Sequence, residues 1–225
     1  MILPLKKIYS VAFIITLLSC VSKPPPYSCG PVMDKKSIKQ TFQPILTYME
    51  LKPGDVFADV GASSGYFTVM MSTLVDSVTY YVQDIDTVCL NKRELNKVID
   101  YYSKLEGKPL SATRSYIMTI GSQNRTQLPD NTFDKIYTNG TFHQFSQPDS
   151  IVLDLYQKLK PTGALFIRDS FFSNKEQYCS DKKCAKLLVK VEDFLAIMKR
   201  YNFHLEKNKE FSGYPVFKFK KGIAR

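Results

Sequence analysis

The chain has 225 residues, 44% hydrophobic content and a net charge of +10, enough length and apolar character for one domain with a sizeable core. Its five cysteines are too scattered for a disulfide scaffold, and with His143 and His204 they give no metal-ligand spacing, so no metal is expected. There is no RNP motif or basic aromatic stripe, so no nucleic-acid partner is expected either.

At the N-terminus Lys6-Lys7 precedes an apolar run from Ile8 to Leu18, too short for the roughly 20 residues of a membrane-spanning helix. It reads as a signal peptide. The run ends in Leu17-Leu18-Ser19-Cys20, which resembles a bacterial lipobox, where the cysteine is lipidated and becomes the first mature residue. Residues 1–19 are then the signal, 20–32 a lipidated cysteine and a stiff tether with Pro24-Pro25-Pro26, and 33–225 the domain. An uncleaved apolar helix that packs on the domain or anchors it stays open as the alternative. The expected location is the bacterial cell envelope, membrane-bound through the lipid, with the cytoplasm as alternative. Cys179 and Cys184 could close a small loop in an oxidising compartment. Residues 181–225 carry twelve Lys and Arg against five Asp and Glu, spread through helix and strand patterns as a solvated basic face would be; an anionic membrane or acidic partner is the other reading.

After the tether, Ile38, Phe42, Ile45, Leu46 and Met49 keep helical spacing over residues 34–50. Next comes the stretch around which the chain is organised. Pro53-Gly54 signals a turn, Val56 to Val60 is a buried-strand run, Gly61 to Gly65 is a small-residue loop, and from Tyr66 the apolar spacing is helical again, with Ser64 a candidate cap. Asp59 sets a carboxylate beside the loop. A dinucleotide fingerprint needs G-x-G-x-x-G, whereas here the pattern is Asp59-x-Gly61-x-Ser63-x-Gly65. An acid against the loop would repel a pyrophosphate and suit a cationic ligand.

This stretch resembles motif I of the class I S-adenosylmethionine-dependent methyltransferases, with Ser63 where that family has its middle glycine. Further motifs follow in the family's order. The strand Val78 to Gln83 ends at Asp84, about 20 residues past the loop, where a nucleotide site places an acid on the ribose hydroxyls; the resemblance implies that role for Asp84 and an adenine contact for Ile85. Asp86 or Thr87 is a candidate cap for the helix through Leu95, Val98 and Ile99. A third strand, Thr113 to Ile120, leads to Gly121-Ser122, where the family has Gly-Asp. Leu128-Pro129-Asp130-Asn131-Thr132-Phe133-Asp134 resembles the family's turn into strand four, Lys135 to Thr138. Asn139 to Phe145 occupies the place of its fourth motif. After a helix over residues 149–160, Leu159-Lys-Pro-Thr-Gly-Ala-Leu-Phe-Ile-Arg-Asp169 resembles its lead into strand five. A helix over Val191 to Tyr201 and strands Phe203 to Phe211 and Pro215 to Lys221 close the chain, the last with Phe217 and Phe219 alternating with lysines as on a half-buried or edge strand.

The resemblance implies an α/β fold, a doubly wound Rossmann-like sheet of seven mostly parallel strands with an antiparallel last strand. It implies S-adenosylmethionine as cofactor, held by Asp59, Gly61, Ala62, Gly65, Asp84, Ile85, Ser122 and Asn139, and a small-molecule acceptor. His143 and Asp169 are the candidate general bases, needed only if the acceptor carries a proton, and each has packing or hydrogen bonding at the pocket wall as its alternative. Because the cofactor is made in the cytosol, an exported non-catalytic binding module is the second reading. A Rossmann dehydrogenase is a third.

Overall fold

The computed structural model describes residues 26–172 and 189–222. The signal-peptide and lipobox residues, including Cys20, and the Cys179 and Cys184 pair lie outside them. The first helix, α1 (Lys35–Met49), is capped by Asp34, whose carboxylate accepts from Ser37 N, and it buries the five apolar residues whose spacing defines it. Strand β1 (Val56–Val60) follows, then α2 (Tyr66–Ser72), β2 (Thr79–Asp84), α3 (Lys92–Glu106), β3 (Ser115–Ile120), β4 (Phe133–Asn139), α4 (Pro148–Lys158), β5 (Leu159–Arg168), α5 (Val191–Arg200), β6 (Phe203–Phe211) and β7 (Tyr214–Lys221).

The seven strands form one sheet in the order β3-β2-β1-β4-β5-β7-β6. All pairings are parallel except those of β7, which runs against both β5 and β6. Helices cover both faces. One apolar cluster packs α1, α2 and α3 on one side through Leu46, Met70 and Val98, and the other packs α4 and α5 through Leu155 and Phe194. Central strands buried on both faces read as continuous apolar runs, which is why Val56 to Val60 could be placed from sequence. Strand order reverses between β1 and β4, which opens a crevice at their carboxyl ends where such sheets bind ligands.

Three local expectations are corrected. Ser64 does not cap α2; Gly65 does, with its backbone in the left-handed region at φ 82°, and Ser64 Oγ is buried with no hydrogen-bond partner among the described residues. The cap of α3 is Asn91, while Asp86 closes a local turn by accepting from Val88 N and Cys89 N. β7 is an interior strand, not an edge: Phe217 and Phe219 are in the core, and Lys218 between them is buried too, with Nζ 2.8 Å from Glu206 and 3.3 Å from Glu50. The edge is β6, where the residues between its buried terminal phenylalanines are exposed.

The Leu128 to Asp134 turn works at the far end of the sheet. Asp134 Oδ2 accepts from Val56 N at 2.9 Å and from Lys160 Nζ at 2.7 Å, so it ties the start of β4 to the starts of β1 and β5.

Candidate active site

A cavity of about 550 Å³ lies at the carboxyl ends of β1, β2 and β4, large enough for a nucleoside with a side chain. Its wall on the β1 side is the glycine loop. Gly61 sits at φ 78°, its N–H donates to Gln83 O at 2.9 Å, and a Cβ there would come within 2.2 Å of the Thr141 side chain. Only glycine meets both conditions. Ala62 N–H donates to the same carbonyl. Ser63, at φ 53°, takes the left-handed conformation that a glycine would take without cost, and its N–H donates to Asp84 Oδ2 at 2.6 Å.

Asp84 and Asp86 are the carboxylates on the cavity wall, and Asp84 lies at the end of β2 beside the glycine loop. Besides Ser63 N it accepts from Ile85 N and Asp86 N, both on Oδ1. A carboxylate offers about four acceptor positions; three are used, so one remains for a ligand donor, not the two that a bidentate grip on vicinal hydroxyls would need. Ile85 beside it is 52% exposed, an apolar surface open to a flat ring.

The predicted residues divide by position. Gly61, Asp84, Ile85, Ser122 and Asn139 line the cavity. Asp59, Ala62, Gly65, His143 and Asp169 are not on its wall. Asp59 is turned into the base of α2, where it accepts from Thr68 Oγ1 at 2.6 Å, so of the expected pair of acids only Asp84 flanks the crevice, with Asp59 buried behind it. Loss of water pushes the Asp59 carboxyl up to about 7; the Thr68 hydroxyl opposes the rise and the charge of Asp84 adds to it.

His143 and Asp169, proposed separately, meet. Asp169 Oδ1 lies 2.7 Å from His143 Nδ1, and Oδ2 accepts from His143 N at 3.0 Å. Both side chains are nearly buried. The pair pins the turn after β4 to the end of β5, and the residues of that turn on the cavity wall are Gly140, Thr141, Gln144, Phe145 and Ser146.

Sequence reasoning missed Tyr66 and Cys89 on the wall. Tyr66 looked like the first residue of an amphipathic helix, and burial together with the charge of Asp59 pushes its hydroxyl up to about 12. Cys89 is joined to Cys29 by a disulfide across 60 residues of sequence, a pairing that no local pattern announces. The described residues hold no group of three or more His, Cys, Asp or Glu able to hold a metal.

Residues 58–167 match the family model of a methyltransferase domain. Over those residues the chain carries an S-adenosylmethionine-dependent methyltransferase domain, on the class I methyltransferase fold. Solved structures agree on the fold. A SAM-dependent methyltransferase from Aquifex aeolicus is 20% identical, with 84% of this chain and 98% of that one covered and a TM-score of 0.60. A TehB-like SAM-dependent methyltransferase from Corynebacterium glutamicum is 17% identical over 85% and 90%, with a TM-score of 0.54. Phosphoethanolamine N-methyltransferase 2 from Haemonchus contortus, solved with phosphomonomethylethanolamine and S-adenosylhomocysteine, is 15% identical over 80% and 52%, with a TM-score of 0.59. No curated protein matches the chain by sequence.

The cavity suits the methyltransferase's cofactor: two carboxylates, of which Asp84 keeps a free acceptor position, an exposed isoleucine between them, and neutral polar groups from Ser122, Gln123 and Asn139. When bound, S-adenosylmethionine supplies an electrophilic methyl carbon and its own leaving group. What remains for the chain is to hold the acceptor in line and keep water out, which lowers the barrier by several kcal/mol, up to about 11, without a catalytic side chain.

Proposed function

We propose that the methyltransferase acts on a small molecule that enters beside the turn Thr141 to Ser146. The observation that carries this reading is the 550 Å³ cavity itself, whose wall joins Asp84 and Ile85 to Gln144, Phe145, Ser146 and Ile151: a partly open space with two aromatics, Tyr66 and Phe145, and several neutral polar groups fits a compact acceptor. Isothermal titration of the full-length chain in detergent with S-adenosylmethionine, followed by S-adenosylhomocysteine release from pools of small-molecule acceptors, tests it. Binding with micromolar affinity and turnover on at least one pool are expected.

His143 is nearly buried behind the cavity wall, a position that does not favour the role of base. It is proposed instead to hold the turn Thr141 to Ser146 in place against the acceptor, with Asp169 orienting its ring. The contact of Nδ1 with the carboxylate supports this. Once an acceptor is in hand, His143→Gln should lower turnover at least tenfold, with cofactor affinity unchanged.

The domain is further proposed to be exported and held at the envelope through Cys20. The Cys29–Cys89 disulfide supports an oxidising compartment. The same observation favours the second reading, a binding module that keeps the fold and has lost turnover, because the methyl donor is cytosolic. That reading predicts no S-adenosylhomocysteine release from any pool, and the titration then shows whether a cofactor-sized ligand is still bound.

A further inference from the structure

Part of the cavity is braced by a segment that lies ahead of the residues matching the family model. Tyr27 to Met33 runs past the glycine loop and touches three residues of the cavity wall. Cys29 is bonded to Cys89, the Cys29 carbonyl accepts from Ser63 Oγ at 2.9 Å, and Gly30 lies so close to Tyr66 that a Cβ would come within 2.3 Å of the ring. Cys89, Ser63 and Tyr66 all line the cavity. The segment is also seated away from it. Ser28 N–H donates to the buried Glu94 carboxylate at 3.1 Å, the buried Tyr27 hydroxyl donates to Pro31 O and meets the Tyr102 hydroxyl, and Met33 N–H donates to that same Tyr102 oxygen.

The position of Ser63 gives the segment a reason. A glycine there would adopt φ 53° without strain, whereas serine is held at a conformation unfavourable for a side chain, and its hydroxyl is spent on the Cys29 carbonyl. Cys29 is itself in the left-handed region at φ 57°. Two residues in costly conformations are joined to each other by the hydrogen bond of the Ser63 hydroxyl and held by the disulfide at Cys29 and by the Ser63 N–H bond to Asp84.

We propose that the segment 27–33 is a positioning element of the cofactor cavity and that its seating depends on the Cys29–Cys89 bond, so that cofactor affinity falls when a dithiol reduces it. The inference rests on the reading that this cavity takes S-adenosylmethionine. In the redox step a thiolate of the dithiol attacks one sulfur of the bond to give a mixed disulfide, which the second thiol resolves. Two electrons pass to the protein, two protons end on the Cys29 and Cys89 thiols, and the reductant leaves as its own disulfide. Without the cross-link the segment regains the chain entropy of an open loop, and the wall at Ser63, Tyr66 and Cys89 loses its brace.

The test is titration of the full-length chain with S-adenosylhomocysteine, with circular dichroism and a melting curve on every sample. The oxidised wild type should bind, a Cys29→Ser/Cys89→Ser double variant should bind at least tenfold more weakly while keeping its fold at the assay temperature, and Tyr27→Phe with the disulfide intact should bind a few-fold more weakly. A folded double variant that binds within twofold of wild type overturns the proposal. Should the double variant fail to fold, Tyr27→Phe decides: affinity equal to wild type overturns it, and a few-fold loss supports it. Failure of the oxidised wild type to bind at all overturns the cofactor reading, and this inference with it.

Discussion

At Asp59 the side chain that sequence reasoning placed in the crevice is instead a buried acid with an altered proton affinity. Its folded carboxyl stands at about 7, above the ordinary value of 3.8. Between those two values the native state binds more protons than the unfolded one, so the stabilisation is complete below about pH 4 and is lost as pH rises through about 7. The gap corresponds to at most about 4 kcal/mol. Melting temperature should therefore be higher near pH 5.5 than at pH 8 through this group, and Asp59→Asn, which cannot ionise, should flatten that difference. Gly61 carries a second expectation at this scale. Gly61→Ala forces a Cβ against Thr141 and should cost about 1–3 kcal/mol in chemical denaturation. Adding Thr141→Ala should recover part of the loss, because it removes the two nearest atoms but leaves the Thr141 Cβ at 2.7 Å and the unfavourable φ.

At the scale of elements, the two ends of the sheet have separate duties. The motif that looked most like the family's signature, Leu128 to Asp134, does nothing at the cavity and instead ties together the amino ends of β1, β4 and β5 through Asp134. Asp134→Ala would strand Val56 N and Lys160, and should lower stability by about 1–3 kcal/mol while leaving cofactor affinity within twofold by titration. At the opposite end the contacts run between loops. Gly61 against Thr141, Ser63 N–H to Asp84, and His143 against Asp169 each join the loop after one strand to the loop after another or to that strand's end. Asp84→Asn keeps the acceptor oxygen but removes the charge and halves the carboxylate's acceptor capacity. We expect at least a tenfold loss of S-adenosylmethionine affinity, and a lower melting temperature in the absence of ligand, because the amide NH2 must face at least one of the three backbone N–H groups that the carboxylate accepts from.

For the whole molecule, the decisive pairing of compartment and chemistry rests on cysteine. Cys29 and Cys89 are bonded to each other, and the proposed anchor, Cys20, lies just ahead of them. If the domain sits at an oxidising envelope surface, thiol trapping of whole cells should find Cys29 and Cys89 blocked, and Cys20→Ala should abolish fatty-acid labelling and release the protein from the membrane fraction. Free thiols at both positions in the cell would place the domain in the cytosol.

The alternation of strand and helix, the glycine loop and the acid at the end of β2 were readable from the chain alone, because periodicity, turn chemistry and positive φ are decided within a few residues. That is why Val56 to Val60 and Phe203 to Phe211 were placed to the residue. Which way Asp59 faces, the joining of His143 to Asp169, the burial of Lys218 and the Cys29–Cys89 bond were decided only by the tertiary structure. Apart from the short reaches from Asp59 to Thr68 and from Lys218 to Glu206, each links positions from 26 to 168 residues apart. They follow from strand order and from which helix covers which face, and no local spacing encodes those.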